Sequence, residues 1–165
     1  MKTILRFLVL FTIKILVLIF YKFECEWVNG SKPASFKDVR CFFLLNHTSL
    51  FEPVFITALS NSMIWEFAKR GVLPGADVTL NRPIAGRFFK MLSPEVVAIT
   101  RKRDESWKIF IESISRDSIV IMAAEGRMKR PGGLDKTGKK MSVRGGAADV
   151  IQKLDTGQLV LVYSG

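Results

Sequence analysis

One histidine occurs in the 165 residues, within Asn46-His47-Thr48-Ser49-Leu50-Phe51-Glu52-Pro53. An imidazole with a carboxylate in reach is a general base with its orienting acid. The acid fixes the tautomer and stabilises the imidazolium once the other ring nitrogen has taken a proton. In a continuous helix, positions i and i+5 point about 140° apart, so His47 and Glu52 meet only if the chain turns between them. Pro53 permits that turn, because proline suits the first helical position. An isolated histidine at a strand end is more often structural. The downstream acid and the predicted strand-to-helix turn favour catalysis here. No GxSxG elbow accompanies the pair, so the predicted nucleophile is a substrate hydroxyl activated by His47.

The second candidate is Ala124-Glu125-Gly126-Arg127-Met128-Lys129-Arg130-Pro131-Gly132-Gly133. Here an apolar strand runs into a glycine-permitted turn crowded with cations. Arginine binds phosphate through paired hydrogen bonds, and backbone N–H groups in glycine-rich turns add to the grip. The motif alone is weak, since a glycine with three cations is often a solvated loop. Cys25 and Cys41 lie too far apart for a CxxC pair, and with one histidine there is no zinc set, so no metal is expected and free thiols are.

The elements that must position these groups alternate along the chain. Phe23, Cys25 and Trp27 alternate with Glu24 and Glu26, predicting a first strand that ends at Asn29-Gly30. Arg40 to Leu45 is a short apolar run, as for a buried strand, and leads straight into Asn46-His47. Helical spacing follows Pro53 at Val54, Phe55, Ala58 and Leu59. Met63 to Ala68 reads as a strand, Pro83 to Leu92 as a helix, and Glu95 to Thr100 as a strand. Trp107, Phe110, Ile111 and Ile114 form the clearest amphipathic helix. Ser118 to Ala123 and Gln158 to Tyr163 read as strands, with a helix from Ser142 between them. The pattern predicts an α/β domain over residues 23–165, with a mostly parallel central sheet flanked by helices. The sequence stops two residues after Tyr163 with no helix to cover that strand, which suggests a truncated C-terminus.

Length allows one domain. Lys and Arg number 25 against 15 Asp and Glu, a net charge of +10, so an anionic partner is expected. Hydrophobic residues make up 48%, enough for a buried core and no case for disorder. The basic clusters are scattered and carry no nucleic-acid-binding signature, so nucleic acid is set aside. Residues 1–22 favour a membrane instead: Ile4 to Tyr21 is apolar apart from Arg6, Thr12 and Lys14. A lysine at the centre of a span costs about 3 kcal/mol, which favours an interfacial helix, with a helix that crosses the bilayer as the alternative. Lys2, Arg6 and Lys14 fall within an arc of about 120°. They are expected to face headgroups while Phe7, Leu8, Phe11, Ile15 and Leu18 enter the acyl region.

With these motifs in order, residues 23–165 resemble the glycerophospholipid acyltransferase family, typified by 1-acyl-glycerol-3-phosphate acyltransferase. The family's first block, Asn-His and then Asp after four residues, is similar to Asn46-His47 with Glu52, an acid one methylene longer. The second block resembles Glu95 to Arg101, with Glu95 where glycine is usual. The third, Pro-Glu-Gly, resembles Ala124-Glu125-Gly126-Arg127, with Ala124 for proline and Met128 where an arginine often sits. Gly133-Leu134-Asp135-Lys136 and Gly145 to Ala148 look like the branch that acylates lysophosphatidylethanolamine. The resemblance implies transfer of a fatty acyl group from acyl-CoA or acyl carrier protein, with no resident cofactor, to a lysophospholipid or glycerophosphate hydroxyl. His47 would be the base and Glu52 its partner. Arg101, Arg127 and Arg130 would hold phosphate, and Glu125 and Gly126 would shape the turn that places the acceptor. The expected location is the cytoplasmic face of a membrane. The departures from the motifs leave a catalytically silent, membrane-binding protein of the same fold as the alternative.

Overall fold

A computed structural model of the chain describes residues 2–28, 35–48, 52–100 and 102–163, with only the backbone of Glu52 and Pro53. Its elements, in chain order, are helix α1 (Lys2–Phe20), strand β1 (Val39–Leu45), a 3₁₀ helix (Glu52–Ala58) and α2 (Asn61–Arg70). Next come β2 (Gly71–Ala76), α3 (Asp77–Leu80), α4 (Pro83–Leu92), β3 (Glu95–Ile99) and α5 (Glu105–Ser113). The chain closes with β4 (Ile119–Ala123), α6 (Gly146–Leu154) and β5 (Gln158–Tyr163). Among the described residues the strands form one sheet in the order β3-β2-β4-β1-β5, every pairing parallel. The α/β architecture is therefore as expected.

The two faces of the sheet are covered differently. On one, Phe42, Ile119 and Ile121 pack with Leu10 of α1, Ile56 and Leu59 after β1, Met63, Ile64 and Phe67 of α2, and Leu92 of α4. On the other, Cys41, Phe43, Val120 and Met122 pack with Phe110 of α5 and Ala147, Val150 and Leu154 of α6. The chain leaving β1 therefore goes to one face and the chain leaving β4 to the other, although the two strands are neighbours. That divergence makes their carboxyl ends a topological switch point, the place where open α/β sheets bind ligands.

Three expectations need correction. Residues 22–27 have no regular structure, and Asn29-Gly30 lies outside the described residues. Among the described residues the alternation there pairs with no strand: Glu24 binds Lys22 at the surface (2.6 Å), Cys25 is exposed, and Trp27 packs edge-on against Phe36. Met63 to Ala68 is helix. Ser60 caps it, its hydroxyl accepting from the Met63 N–H (3.2 Å), and the buried Met63, Ile64, Phe67 and Ala68 form a helical stripe.

The third correction concerns α1. Lys14 turns toward the protein: its Nζ donates to the Leu59 carbonyl (2.7 Å) and Asn61 Oδ1 (3.1 Å) at the start of α2. Phe7 packs edge-on against Trp65 of α2, with ring centres 5.4 Å apart. Acceptors at the head of α2 satisfy the ammonium better than an arc of free charge would. The outer face is left almost purely apolar, with Ile4, Leu5, Leu8, Ile15, Leu16, Leu18 and Ile19 all exposed.

Candidate functional site

β1 ends because Asn46 adopts a left-handed conformation (φ 61°), which asparagine tolerates better than most residues. His47 follows this turn directly, at the carboxyl end of β1 beside β4. In the parallel register Leu44 lies beside Ala123, so the residues just past the two strands, Asn46 and Glu125, are also neighbours. The Ala124 N–H donates to the Leu44 carbonyl (3.2 Å). The buried Glu125 carboxylate then accepts from the backbone N–H of Asn46 (2.8 Å) and of His47 (3.4 Å). An unsatisfied buried N–H costs about 1–3 kcal/mol, so this carboxylate straps the histidine's backbone to the end of β4. His47 is half-buried with its Nδ1 inside, and its carbonyl accepts from the Lys129 N–H (2.6 Å).

Glu125 thus sits in the turn and holds the backbone of Asn46 and His47. Gly126 has φ +60° and a wide-open Cβ position, with only the Arg144 side chain nearby at 3.7 Å, so backbone conformation is what asks for glycine. Arg144, absent from the sequence prediction, folds over this turn. Its N–H donates to the Ala124 carbonyl (2.9 Å) and its Nε to the Glu125 carbonyl (3.4 Å). The signal that could have found it is a cation directly before the Gly145-Gly146 helix start.

Beyond Gly126 a cationic loop turns back on itself. Arg130 donates its N–H to the Leu134 carbonyl (2.8 Å), and Gly133 returns one to Arg130 (3.0 Å). The tight turn brings Asp135 to Arg127, whose guanidinium is ion-paired with it. The Asp135 side chain is 0% exposed. It also accepts from the Thr137 hydroxyl (2.7 Å), the Thr137 N–H (2.7 Å) and the Lys139 N–H (3.0 Å). The Thr137 hydroxyl foremost, then the two N–H groups and Arg127, hold its carboxyl well below the usual carboxylate range, against burial that pushes it up. Arg127 therefore spends part of its hydrogen-bonding capacity on Asp135, while the Arg130 side chain is exposed.

The other predicted residues are less accessible to geometry. The 3₁₀ helix begins at Glu52, as the turn before Pro53 requires, but the Glu52 side chain lies outside the described residues. Arg101 also lies outside them. Its flanks are ordered: Thr100 Oγ1 donates to Asp104 (2.6 Å), and Asp104 caps α5 by accepting from the Ser106 N–H (3.0 Å). β3, which precedes Arg101, stands three strands from β1. Both thiols are free; burial pushes that of Cys41 up to about 12, which makes it inert.

A base at a strand end, clamped from beneath and faced by a cation-rich loop, suits removal of a proton from a hydroxyl on a phosphate-bearing molecule. A family model described as Acyltransferase matches residues 28–163. Neither the curated proteins nor the solved structures compared with the chain include a match.

Proposed function

The chain belongs to the acyltransferase family, and on that premise we propose that it acylates a lysophospholipid or glycerophosphate at a membrane surface. The donor is acyl-CoA or acyl carrier protein. The observation that carries the reading is the double hydrogen bond from Glu125 to the backbone of Asn46 and His47. It fixes the histidine's backbone at the switch point where a ligand is expected.

With Nδ1 buried, Nε2 takes the proton of the acceptor hydroxyl. The alkoxide attacks the thioester carbonyl, a tetrahedral intermediate forms, and the carbon–sulfur bond breaks as the imidazolium returns its proton to the leaving thiolate. Glu52 stabilises the imidazolium, in the role that its motif implies. Arg127 and Arg130 draw the acceptor's phosphate, Arg127 from a fixed position and Arg130 from a freer one, and Arg101 assists. The exposed apolar face of α1 attaches the domain to the bilayer, in keeping with substrates that reside there.

The test is acyl transfer from labelled acyl-CoA and acyl carrier protein to a panel of lysophospholipids and glycerol 3-phosphate, wild type beside His47→Ala. Transfer that vanishes in the variant supports the reaction and names the acceptor. Transfer that survives removes His47 from the chemistry.

A further inference from the structure

α1 is one of two apolar surfaces on its side of the sheet; the other is on α4. Ile84, Phe88 and Met91 stand at i, i+4 and i+7, one stripe of that helix, and all three are exposed. Ile84, at 86%, is the most exposed large hydrophobic side chain among the described residues. The stripe cannot turn inward. The opposite side of α4 is already committed: Phe89 packs against the core, and Gly86 lies so close to the Leu80 carbonyl that a Cβ would come within 2.0 Å of it.

Charge singles out the same region. Between Asp77 and Glu95 the sequence has Arg82, Arg87 and Lys90 and no acidic residue. Arg87 falls on the same arc of the helix as the apolar stripe, and Arg82 joins Pro83, Ile84, Ala85 and Phe88 in lining an open cleft. Apolar side chains beside cations, unrelieved by acids, match the boundary between headgroups and acyl chains of an anionic leaflet.

Position agrees as well. α4 touches α1. Its first turn follows the carboxyl end of β2, the end of the parallel sheet at which His47 lies. α1 runs antiparallel to α2, with Lys14 at the head of α2 and Phe7 by Trp65 further along, so its own exposed end at Ile19 and Phe20 reaches that same end.

We propose that α4 is a second membrane-insertion element. It places Ile84, Phe88 and Met91 in the bilayer beside the outer face of α1, while Arg82, Arg87 and Lys90 hold lipid phosphates. The inference deepens the proposed membrane-surface acyl transfer and rests on it.

The test is flotation of the full chain, carrying His47→Ala so that no lipid is consumed, with phosphatidylcholine vesicles with and without phosphatidylglycerol. Ile84→Asp with Phe88→Asp is expected to weaken vesicle partitioning by about tenfold or more. Arg87→Gln and Lys90→Gln should each weaken binding by about fivefold on the anionic vesicles alone. Ile84→Gln, at the most exposed position, repeats the first test with little demand on folding. Unchanged partitioning in the α4 variants, with binding abolished by Leu8→Asp and Ile15→Asp, would leave α1 as the sole anchor and overturn the proposal. Concentration-dependent self-association that Ile84→Asp relieves would also overturn it, assigning the face to a second copy. Transfer assayed in detergent micelles with His47 restored separates the two readings. Wild type inactive there sinks the acyl-transfer reading and leaves the flotation result standing.

Discussion

Asn46 and His47 leave a strand hydrogen-bonded on both sides, to β4 and β5, and a buried carboxylate grips their backbone. The cations from Arg127 to Lys140 lie in a loop whose ladder contact, among the described residues, is a single bridge between Leu134 and Lys140. Its order comes from backbone turns within the loop and from the Asp135 carboxylate, which ties Arg127, Thr137 and Lys139 together. His47 thus stands at the end of a strand paired on both sides, whereas the cations stand in a loop that Asp135 latches at Arg127. Proton transfer is sensitive to small displacements, while attraction of a phosphate by several cations tolerates them. On the proposed function, the rigid half would serve the chemistry and the looser half the capture of substrate.

The largest expected effect tests the rigid half directly. His47→Ala should lower transfer by at least about 10²- to 10⁴-fold, the usual worth of a positioned base, with circular dichroism and vesicle binding unchanged. Loss of the folded spectrum along with activity would make His47 a structural residue and break the contrast. Glu125→Ala comes next. It strips the acceptor from two N–H groups at about 1–3 kcal/mol for each one left unsatisfied, and in a chain of this size each kcal/mol shifts the melting temperature by about 2–4 °C. The kcat should fall by about tenfold or more with KM little changed, and Glu125→Gln, which keeps an acceptor oxygen, should recover most of it. A rise in KM alone would move Glu125 from holding the base to binding the acceptor.

Asp135→Asn probes the looser half and should show the opposite split, with KM for the phosphate-bearing acceptor up about fivefold, the worth of one hydrogen bond, and kcat kept. The pH dependence follows from the depressed carboxyl. A group whose pKa is lower in the folded state adds stability in full above its unfolded value, near 3.9, and loses it as pH falls toward the folded value. The latch on Arg127 therefore persists through neutral and mildly acidic conditions. Wild type should lose stability below about pH 4 more steeply than Asp135→Asn, as thermal melts across an acid series would record. Matching acid limbs would mean that Asp135 does not order the loop.

What could be read from the sequence follows the range of the interactions involved. β1, β4, β5 and α4 are legible because continuous apolar runs and an opening proline are local signals. β2 is not, since Gly71, Pro74 and Gly75 argue against a strand. The fold accepts them because β2 pairs with β4 only at Gly71 and Val72, so Pro74, which has no N–H, lies beyond that ladder. Met63 to Ala68 could be strand or helix from periodicity alone, and the Ser60 cap decides it. The site divides likewise. His47 and the Gly126 turn announce themselves by type and neighbours. The grip of Glu125 on residues 78 and 79 positions earlier does not, because it depends on β1 and β4 being neighbours. The cationic side of α1 was legible, but the direction it faces depends on the Leu59 carbonyl, and no helical wheel contains that.

The smallest expected effect concerns the acid partner. Glu52→Asp shortens the side chain by one methylene and keeps the charge. Because Glu125 holds the backbone of His47, in the proposed pairing most of the adjustment to a shorter acid falls to the first turn of the 3₁₀ helix that begins at residue 52. That helix is short, and such turns have poorer hydrogen bonds than an α-helix, so the turn can yield. Transfer should stay within about tenfold of wild type, about 1.4 kcal/mol in the barrier, and show mainly in kcat. Glu52→Gln, which removes the charge without changing length, should cost more. If the aspartate variant were the worse of the two, the reach of the acid would matter more than its charge, and rigidity would extend from His47 into the segment after it.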